Sequence, residues 1–188
     1  HIPGVKVVVP STAGECKGLL KTAIRDNDPV MFFEHKMLYT TKFNDVPEVE
    51  EDVCIPFGRA RIVAEGADIT VVTNSMMTIK AEKAVRQLQK EGISAELIDL
   101  RTIVPLDTET IIRSVKKTGK LLIVDEGHLS FGITGEIASR IMPDVFYDLD
   151  APIQRMGTAD VPLPFSPALE FPLIPDEKKI AAKIREMV

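Results

Sequence analysis

The sequence contains no tryptophan, only two cysteines and no concentration of positive charge. Cys16 and Cys54 lie far apart and form neither a CxxC motif nor a disulfide framework, so we interpret them as buried or bystander thiols of a reducing compartment. The net charge is −5 at pH 7 and the basic residues are scattered, which argues against nucleic-acid binding. No apolar run approaches the roughly 20 residues that span a bilayer, and no signal pattern is present, so we expect a soluble protein without a membrane partner.

The length and the first residues indicate an incomplete unit. With 188 residues, the chain has room for one ordinary domain and part of another. It begins HIPGVKVVVP, without an initiator methionine, and enters a predicted strand almost at once. We therefore expect a fragment or a processed piece of a longer protein.

Hydrophobic periodicity and capping residues predict strands that alternate with helices. The predicted strands are 5–9, 29–34, 68–73, 95–99, 120–124 and 151–156. The predicted helices are 13–25, 78–91, 107–118, 133–142 and 176–187, with N-caps at Ser11-Thr12 and Asp107 and with stops at Gly92 and Gly119 for the second and third. The acidic stretch 40–52 shows neither period, which favours a solvated linker. The alternation predicts an α/β fold with a doubly wound parallel sheet and helices on both of its faces.

Charged side chains follow the strand 120–124, at the edge where such sheets usually bind ligands. Glu126 and His128, with Asp125 beside them, are candidates for an acid–base pair. The alternative is that the carboxylates cap a helix or pair across an interface while the histidine only forms a hydrogen bond. No G-x-S-x-G nucleophile motif lies nearby, so the alternative is favoured.

The segment 127–135 is punctuated by glycines and precedes a predicted helix. Loops of this kind can present backbone N–H groups to a phosphate, which leaves a stand-alone Rossmann-like nucleotide-binding domain as one alternative. The G-x-G-x-x-G spacing is missing, so close packing of helix and sheet, or of subunits, is the favoured use of these glycines. Histidines and cysteines form no cluster with metal-ligand spacing.

Two acidic residues, Asp26 and Asp28, follow the predicted helix 13–25. Together with a helix-end carbonyl such as that of Ala23, they offer the hard oxygen donors that alkali and alkaline-earth cations prefer. The alternative is an Asx-type turn that stops the helix, which composition alone favours.

Several segments together resemble a known family. They are HIPGVKVVVPSTAGECKGLLKTAIRDNDPVMFFEHKMLY, IPFGRARIVAEGADITVVT, LIDLRTIVPLDTETIIRSVKKTGKLLIVDEG and DLDAPIQRMGTADVPLPFSPALE. The pattern DLRTI followed by PLD, and LDAP with a GADVP-like spacing, are specific to it. The chain resembles the beta subunit of the thiamine-diphosphate-dependent component of 2-oxo-acid dehydrogenase complexes, whose members include pyruvate, branched-chain 2-oxo-acid and acetoin dehydrogenases.

The resemblance implies a division of the chain into domains. Residues 1–45 correspond to the βαβ tail of a pyrimidine-binding domain, 46–54 to a linker and 55–188 to a transketolase-type carboxy-terminal domain with a three-layer, mostly parallel architecture. The glutamate that activates thiamine and the histidine that handles acyl transfer then lie before His1, and the alpha subunit holds the diphosphate and Mg. The resemblance therefore implies no catalytic and no cofactor-binding residue in this chain, which alone should be inactive.

Two sites carry over from the family to residues of this chain. The turn that holds a structural potassium ion corresponds to Ala23 (by its carbonyl), Asp26 and Asp28, where Asp28 replaces a frequent asparagine. The docking surface for the basic subunit-binding domain of the dihydrolipoyl acyltransferase core corresponds to Asp150 and the carboxylate of Val188. Opposite charges steer such docking.

The resemblance also implies partners and a compartment. We expect an alpha2-beta2 heterotetramer attached to the acyltransferase core, in the bacterial cytoplasm or, in a eukaryote, in the mitochondrial matrix. A chain that serves only as an interaction module, for dimerisation and docking, is a further alternative.

Overall fold

The structure, a computed structural model, describes residues 2–40 and 53–188. The strands are β1 (Lys6–Val8), β2 (Val30–Phe32), β3 (Arg61–Ala64), β4 (Ile69–Thr73), β5 (Ala95–Asp99), β6 (Thr102–Val104), β7 (Leu121–His128) and β8 (Gln154–Thr158). The α-helices are α1 (Ala13–Arg25), α2 (Ser75–Lys90), α3 (Thr108–Thr118), α4 (Ile133–Val145), α5 (Pro167–Glu170) and α6 (Glu177–Met187). Short 3-10 helices occupy Lys36–Tyr39, Phe146–Asp148 and Phe171–Leu173. Among the described residues, no helix is long and apolar enough to cross a bilayer.

The larger sheet has the strand order β3-β5-β4-β7-β8. Strand β4 runs parallel to both β5 and β7, and β7 runs parallel to β8. Only the pairing of β3 with β5, at one edge of this sheet, is antiparallel. The predicted α/β class with a mostly parallel sheet is therefore confirmed.

Helices cover both faces of this sheet, which explains why its central strands are buried on both sides. Along β7, Leu122 and Val124 pack with α2 and α6, while Leu121 and Ile123 pack with α3 and α4. The side chains alternate between the two cores because successive residues of a strand point to opposite faces. Burial of each such aliphatic side chain stabilises the fold by about 1.5–3 kcal/mol. The three-layer arrangement agrees with the prediction.

A smaller sheet has the order β2-β1-β6. It joins two strands from the start of the chain to the strand that follows β5. Strand β1 is parallel to β2, whereas β6 pairs with β1 in the antiparallel sense. The chain leaves β5 of the larger sheet and passes through Leu100 and Arg101 directly into β6. Residues 2–40, called here the amino-terminal unit, are therefore held to the rest of the chain by main-chain hydrogen bonds.

The helix termini follow from local chemistry. Thr12 caps α1 by accepting a hydrogen bond from the Glu15 N–H over 3.2 Å, and Asp107 caps α3 through the Thr110 N–H at 3.0 Å. Helix α3 ends at Gly119, whose φ of 68° lies in the left-handed region that glycine tolerates. These predicted caps are confirmed.

Several predicted boundaries were wrong. Helix α2 begins at Ser75, not at residue 78, because Met76 and Met77 are buried in the core and extend the apolar face of the helix. Strand β7 continues to His128, beyond the predicted end at residue 124, because β8 pairs with it there. The short strands β3 and β6 were not predicted, and of the predicted linker stretch 40–52 only Thr40 lies among the described residues.

Candidate functional site

The turn between α3 and β7 brings together the two residues predicted to dock a partner. The Gly119 carbonyl accepts a hydrogen bond from the Asp150 N–H over 2.8 Å. Lys120, the next residue, donates from Nζ to the main-chain oxygen of Val188 over 3.3 Å. Asp150 and Val188 lie far apart in the sequence, yet both flank this one turn, which we call the 119–120 turn.

The 119–120 turn carries exposed groups of both signs. Asp150 is exposed, Val188 is 47% exposed, and Asp148 lies nearby in sequence with its carboxylate 3.9 Å from the ammonium of Lys116. A Cβ on Gly119 would overlap Asp150 Oδ2 and lie 2.8 Å from its Cγ, so only glycine leaves this carboxylate in place. Exposed carboxylates in such an arrangement attract basic groups with a strength that falls as salt is added.

The three predicted cation ligands also lie in one turn, after α1. The Asp26 N–H donates to the Ala23 carbonyl over 3.3 Å, and the Asp28 N–H donates to Asp26 Oδ1 over 2.9 Å, which is the Asx-type turn considered as the alternative. Lys6 Nζ donates to both Asp26 carboxylate oxygens at 2.7 Å and lies 3.1 Å from Asp28 Oδ2. The hydrogen bond from Lys6 holds the pKa of Asp26 below its usual value.

Lys6 was missed by the sequence analysis, because it lies 20 residues from Asp26 and reaches it only through the pairing of β1 with β2. Its ammonium supplies one positive charge where a cation was predicted. Within residues 2–40 and 53–188, no group of three or more His, Cys, Asp or Glu side chains converges to hold a metal ion.

The strand-end candidates Glu126 and His128 have separate partners. Glu126 Oε2 lies 2.7 Å from His35 Nε2, and His128 Nδ1 lies 2.8 Å from the Ala159 carbonyl oxygen. The Met37 N–H donates to His35 Nδ1 over 3.3 Å, so a neutral His35 carries its proton on Nε2 and donates it to Glu126. The structure thus gives the Glu126 carboxylate a histidine from the amino-terminal unit, which agrees with the favoured alternative that the carboxylate pairs elsewhere while His128 only forms a hydrogen bond.

Other polar groups of this edge are also engaged in structural contacts. Asn74 donates from Nδ2 to Asp125 Oδ1 over 2.9 Å, and Ser130 donates from its hydroxyl to Asp160 Oδ2 over 2.6 Å. A Cβ on Gly132 would overlap the His128 carbonyl oxygen, so this glycine serves close packing. The edge of the larger sheet is a set of loop-to-loop contacts in which each of these side chains already has a partner.

A groove of about 610 Å³ lies beside α1, where β1 and β2 end. On its wall, Glu34 accepts hydrogen bonds from Cys16 Sγ at 2.9 Å and from the Tyr39 hydroxyl at 2.7 Å. These bonds, the one from Cys16 first, lower the pKa of Glu34, while burial raises the pKa of the Cys16 thiol to about 12. Cys16 therefore stays protonated near neutral pH and does not act as a nucleophile there.

Two protein-family models match the chain. "Transketolase, C-terminal domain" matches residues 58–180, and "Transketolase, pyrimidine binding domain" matches residues 1–42. The first match contains the whole larger sheet, and the second contains the whole amino-terminal unit.

Named beta subunits align with nearly the full chain. The "Pyruvate dehydrogenase E1 component subunit beta" of Rickettsia felis is 48% identical over 100% of this chain and 56% of its own length. The "Acetoin:2,6-dichlorophenolindophenol oxidoreductase subunit beta" of Cupriavidus necator is 47% identical over 99% of this chain and 54% of its own length. The "2-oxoisovalerate dehydrogenase subunit beta" of Bacillus subtilis is 44% identical over 98% of this chain and 56% of its own length. The chain thus spans about half the length of these relatives.

A solved structure described as "Split gene transketolase, inactive beta4 tetramer" superposes with a TM-score of 0.75 over 99% of this chain and 58% of its own. Its sequence identity is 23%, so it shows likeness of fold. The resemblance to beta subunits of 2-oxo-acid and acetoin dehydrogenases, predicted from the sequence, is confirmed by the relatives, and the chain belongs to the family that carries the transketolase C-terminal domain.

Proposed function

We propose that this chain is part of the beta subunit of a thiamine-diphosphate-dependent 2-oxo-acid or acetoin dehydrogenase. The observation that carries the proposal is the alignment of three such beta subunits, at 44–48% identity, along nearly the whole chain. The intact enzyme decarboxylates or cleaves its substrate and transfers the acyl group to lipoamide. The family resemblance assigns the catalytic groups to the part of the relatives that this chain does not span, so this portion serves subunit association and docking.

The proposed docking surface is the 119–120 turn, with Asp150 and Val188 as its negative groups. Its occupant is the basic subunit-binding domain of the dihydrolipoyl acyltransferase core. The exposure of both residues and the charge of Asp148 support this assignment, because long-range attraction between opposite charges raises the association rate. Lys120 competes with the partner's basic groups for the oxygen of Val188.

Thiamine diphosphate and Mg belong to the whole enzyme in this proposal. The family resemblance assigns the Mg and the diphosphate to the alpha subunit. For the structural potassium ion, the Ala23 carbonyl and the carboxylates of Asp26 and Asp28 are oxygen donors of the right chemistry. They fit the ion in part, because Lys6 already lies between the two carboxylates.

The proposed assembly is an alpha2-beta2 tetramer in the bacterial cytoplasm or the mitochondrial matrix. Relatives include bacterial proteins and a beta subunit of Oryza sativa whose name includes "mitochondrial". We propose the division into 1–45, the linker 46–54 and 55–188 for this assembly.

The catalytic part of the proposal is tested by a decarboxylase assay with pyruvate, 3-methyl-2-oxobutanoate and acetoin, supplied with thiamine diphosphate and Mg. The chain is assayed alone and with a cognate alpha subunit, and their association is followed by co-purification. Association without turnover is the expected result. Turnover by the chain alone would contradict the assignment of the catalytic groups to the part of the relatives that this chain does not span. Glu126 and His128 would then be the candidates for catalysis.

The docking part is tested by titrating the chain with the isolated subunit-binding domain of a dihydrolipoyl acyltransferase. Asp150→Asn should weaken binding by roughly tenfold, since charged partners at an interface often contribute more than 1 kcal/mol. Glu82→Gln, on α2, removes the same charge away from the 119–120 turn and should leave the affinity within a factor of about two. Equal effects of the two substitutions would refute a specific role for Asp150.

A further inference from the structure

Four charged side chains meet where the amino-terminal unit packs on the larger sheet. Glu15 comes from α1, Arg61 from β3, Asp99 from the end of β5, and Arg101 from the turn that follows. Glu15 is 4% exposed and Asp99 is fully buried. Arg61 Nε and Arg101 Nε lie 2.7 Å and 2.8 Å from the same oxygen, Oε1 of Glu15. This buried cluster is independent of the docking and cation sites proposed above.

The cluster lies where the chain passes from one sheet to the other. Arg101 has a φ of 59°, a left-handed conformation that is unfavourable for an L-residue. It is held by contacts on both sides: the Arg101 N–H donates to Asp99 Oδ1 over 3.2 Å, and the Arg101 carbonyl accepts from the Val9 N–H over 2.8 Å. Strained residues persist where surrounding contacts determine them, so the turn depends on the packing of the amino-terminal unit.

The two arginines compensate the negative charge of Glu15 more closely than that of Asp99. Arg61 Nη2 approaches Asp99 Oδ2 only to 3.5 Å. The Arg61 Nε–H lies close to Glu15 Oε1 but does not point at it, so this short contact is an ion pair without a hydrogen bond. Asp99 is a buried carboxylate whose compensating contacts, with the Ser11 hydroxyl, Arg61 and the Arg101 N–H, lower its pKa less than burial raises it. Burial, and then the charge of Glu15, raise the pKa of Asp99 to about 7.

We propose that Glu15, Arg61, Asp99 and Arg101 form a proton-linked latch, which holds the amino-terminal unit against the larger sheet while Asp99 is protonated and loosens when Asp99 ionises. Glu15 faces Asp99 from α1, Arg61 from β3 and Arg101 from its own turn.

Uncharged hydroxyl groups also lie beside the latch. The hydroxyl of Ser11, which precedes α1, donates to the hydroxyl of Thr78 on α2 over 3.2 Å. Thr78 in turn lies 3.0 Å from the hydroxyl of Thr73 on β4. A pKa of about 7 makes Asp99 a group of this junction whose charge changes near neutral pH.

The direction of the pH dependence follows from linkage. When the amino-terminal unit moves away, Asp99 gains solvent and loses the charge of Glu15, so its pKa falls toward the usual value of about 3.9. The closed arrangement, in which the amino-terminal unit packs on the larger sheet, then holds a proton on Asp99. The open arrangement, in which the unit has moved away, releases this proton. Closure is favoured at lower pH and weakens as the pH rises through about 7. One linked proton with this pKa changes the closure equilibrium roughly tenfold between pH 6 and pH 8.

The test is amide hydrogen exchange of the 188-residue chain at pH 6, 7 and 8, corrected for the intrinsic exchange rates. Protection of α1, relative to that of α3, should fall roughly tenfold from pH 6 to pH 8. Asp99→Asn, which is neutral at every pH, should remove this dependence. Glu96→Gln is the matched control, because Glu96 is equally buried on the same strand but pairs with Lys117 of α3, and it should keep the dependence.

A second measurement keeps the proposal testable if Asp99→Asn fails to fold. The carboxyl carbon of Asp99 can be titrated by NMR in the unaltered chain, and a midpoint near pH 7 is expected. A midpoint near pH 4 would overturn the proposal. So would α1 protection that does not change from pH 6 to pH 8, or the same change in Asp99→Asn as in the unaltered chain.

Discussion

Replacing Gly119 with alanine should destabilise this protein more than the same replacement at Gly92. Both glycines end helices with a positive φ, 68° for Gly119 and 89° for Gly92. An added Cβ at Gly92 meets nothing within 4 Å, whereas at Gly119 it overlaps the carboxylate of Asp150. Comparison of the two substitutions therefore separates the free-energy cost of the backbone conformation from the cost of displacing Asp150.

The expected magnitudes follow from these two terms. An alanine in the left-handed conformation costs about 1–2 kcal/mol relative to glycine, and this should be the whole effect at Gly92. At Gly119, the Asp150 side chain must also leave its preferred rotamer, which adds about 0.5–1.5 kcal/mol. We therefore expect a loss of about 1.5–3.5 kcal/mol for Gly119→Ala. In the Asp150→Ala background, this loss should fall to the value found at Gly92.

The assay is urea unfolding at 25 °C of five chains: the unaltered chain, Gly92→Ala, Gly119→Ala, Asp150→Ala and the double variant. Their free energies of unfolding are compared with one common dependence on urea concentration. A double-mutant cycle between Gly119→Ala and Asp150→Ala gives the coupling energy directly. If the two Gly→Ala substitutions cost the same and the cycle shows no coupling, then Asp150 does not lie against Gly119, and the geometry described for the 119–120 turn is refuted. Gly119→Ala should also weaken the proposed docking, because it displaces the carboxylate that binds the partner.

Three further outcomes are expected. Alkylation of Cys16 at pH 8 should be roughly a thousandfold slower than in the urea-unfolded chain, because a pKa of about 12 leaves little thiolate, and its rate, read by mass spectrometry, should rise about tenfold per pH unit. A fast reaction at pH 8 would show that the thiol is not desolvated. Leu88→Ala, at a fully buried position of α2, should cost about 2–5 kcal/mol in urea unfolding, and a loss below 1 kcal/mol would mean that the core is not closed there. Asp107→Ala should cost about 2 kcal/mol, since it removes the cap of α3 and the acceptor of the Ala60 N–H, whereas Asp107→Asn should recover part of that loss.

Local chemistry made much of the fold predictable. The caps Thr12 and Asp107 and the stop at Gly119 were identified because each acts within three or four residues of itself. The alternation of apolar strands with amphipathic helices predicted the parallel sheet and its two covered faces. The strands β3 and β6 were missed because each has only three or four residues, and their partners, β5 and β1, lie elsewhere in the chain.

In the candidate sites as well, residues close in the sequence were predicted, and residues brought close by folding were not. Ala23, Asp26 and Asp28 were identified together because they are neighbours in the sequence. Their counter-charge, Lys6, was missed because β-sheet pairing brings it to them.

By itself, the sequence determined the fold class, the family resemblance and the residues that carry charge, because these depend on residue type and on short spacings. Only the tertiary structure decided which charges meet. His35 reaches Glu126 across 91 positions, and Glu15 reaches Arg101 across 86, so no local pattern reports either pair. The burial of Asp99 likewise depends on the packing of the amino-terminal unit against the larger sheet. The physical reason is that the energy of a charge depends on its solvent exposure and on its neighbours, and both are properties of the folded chain.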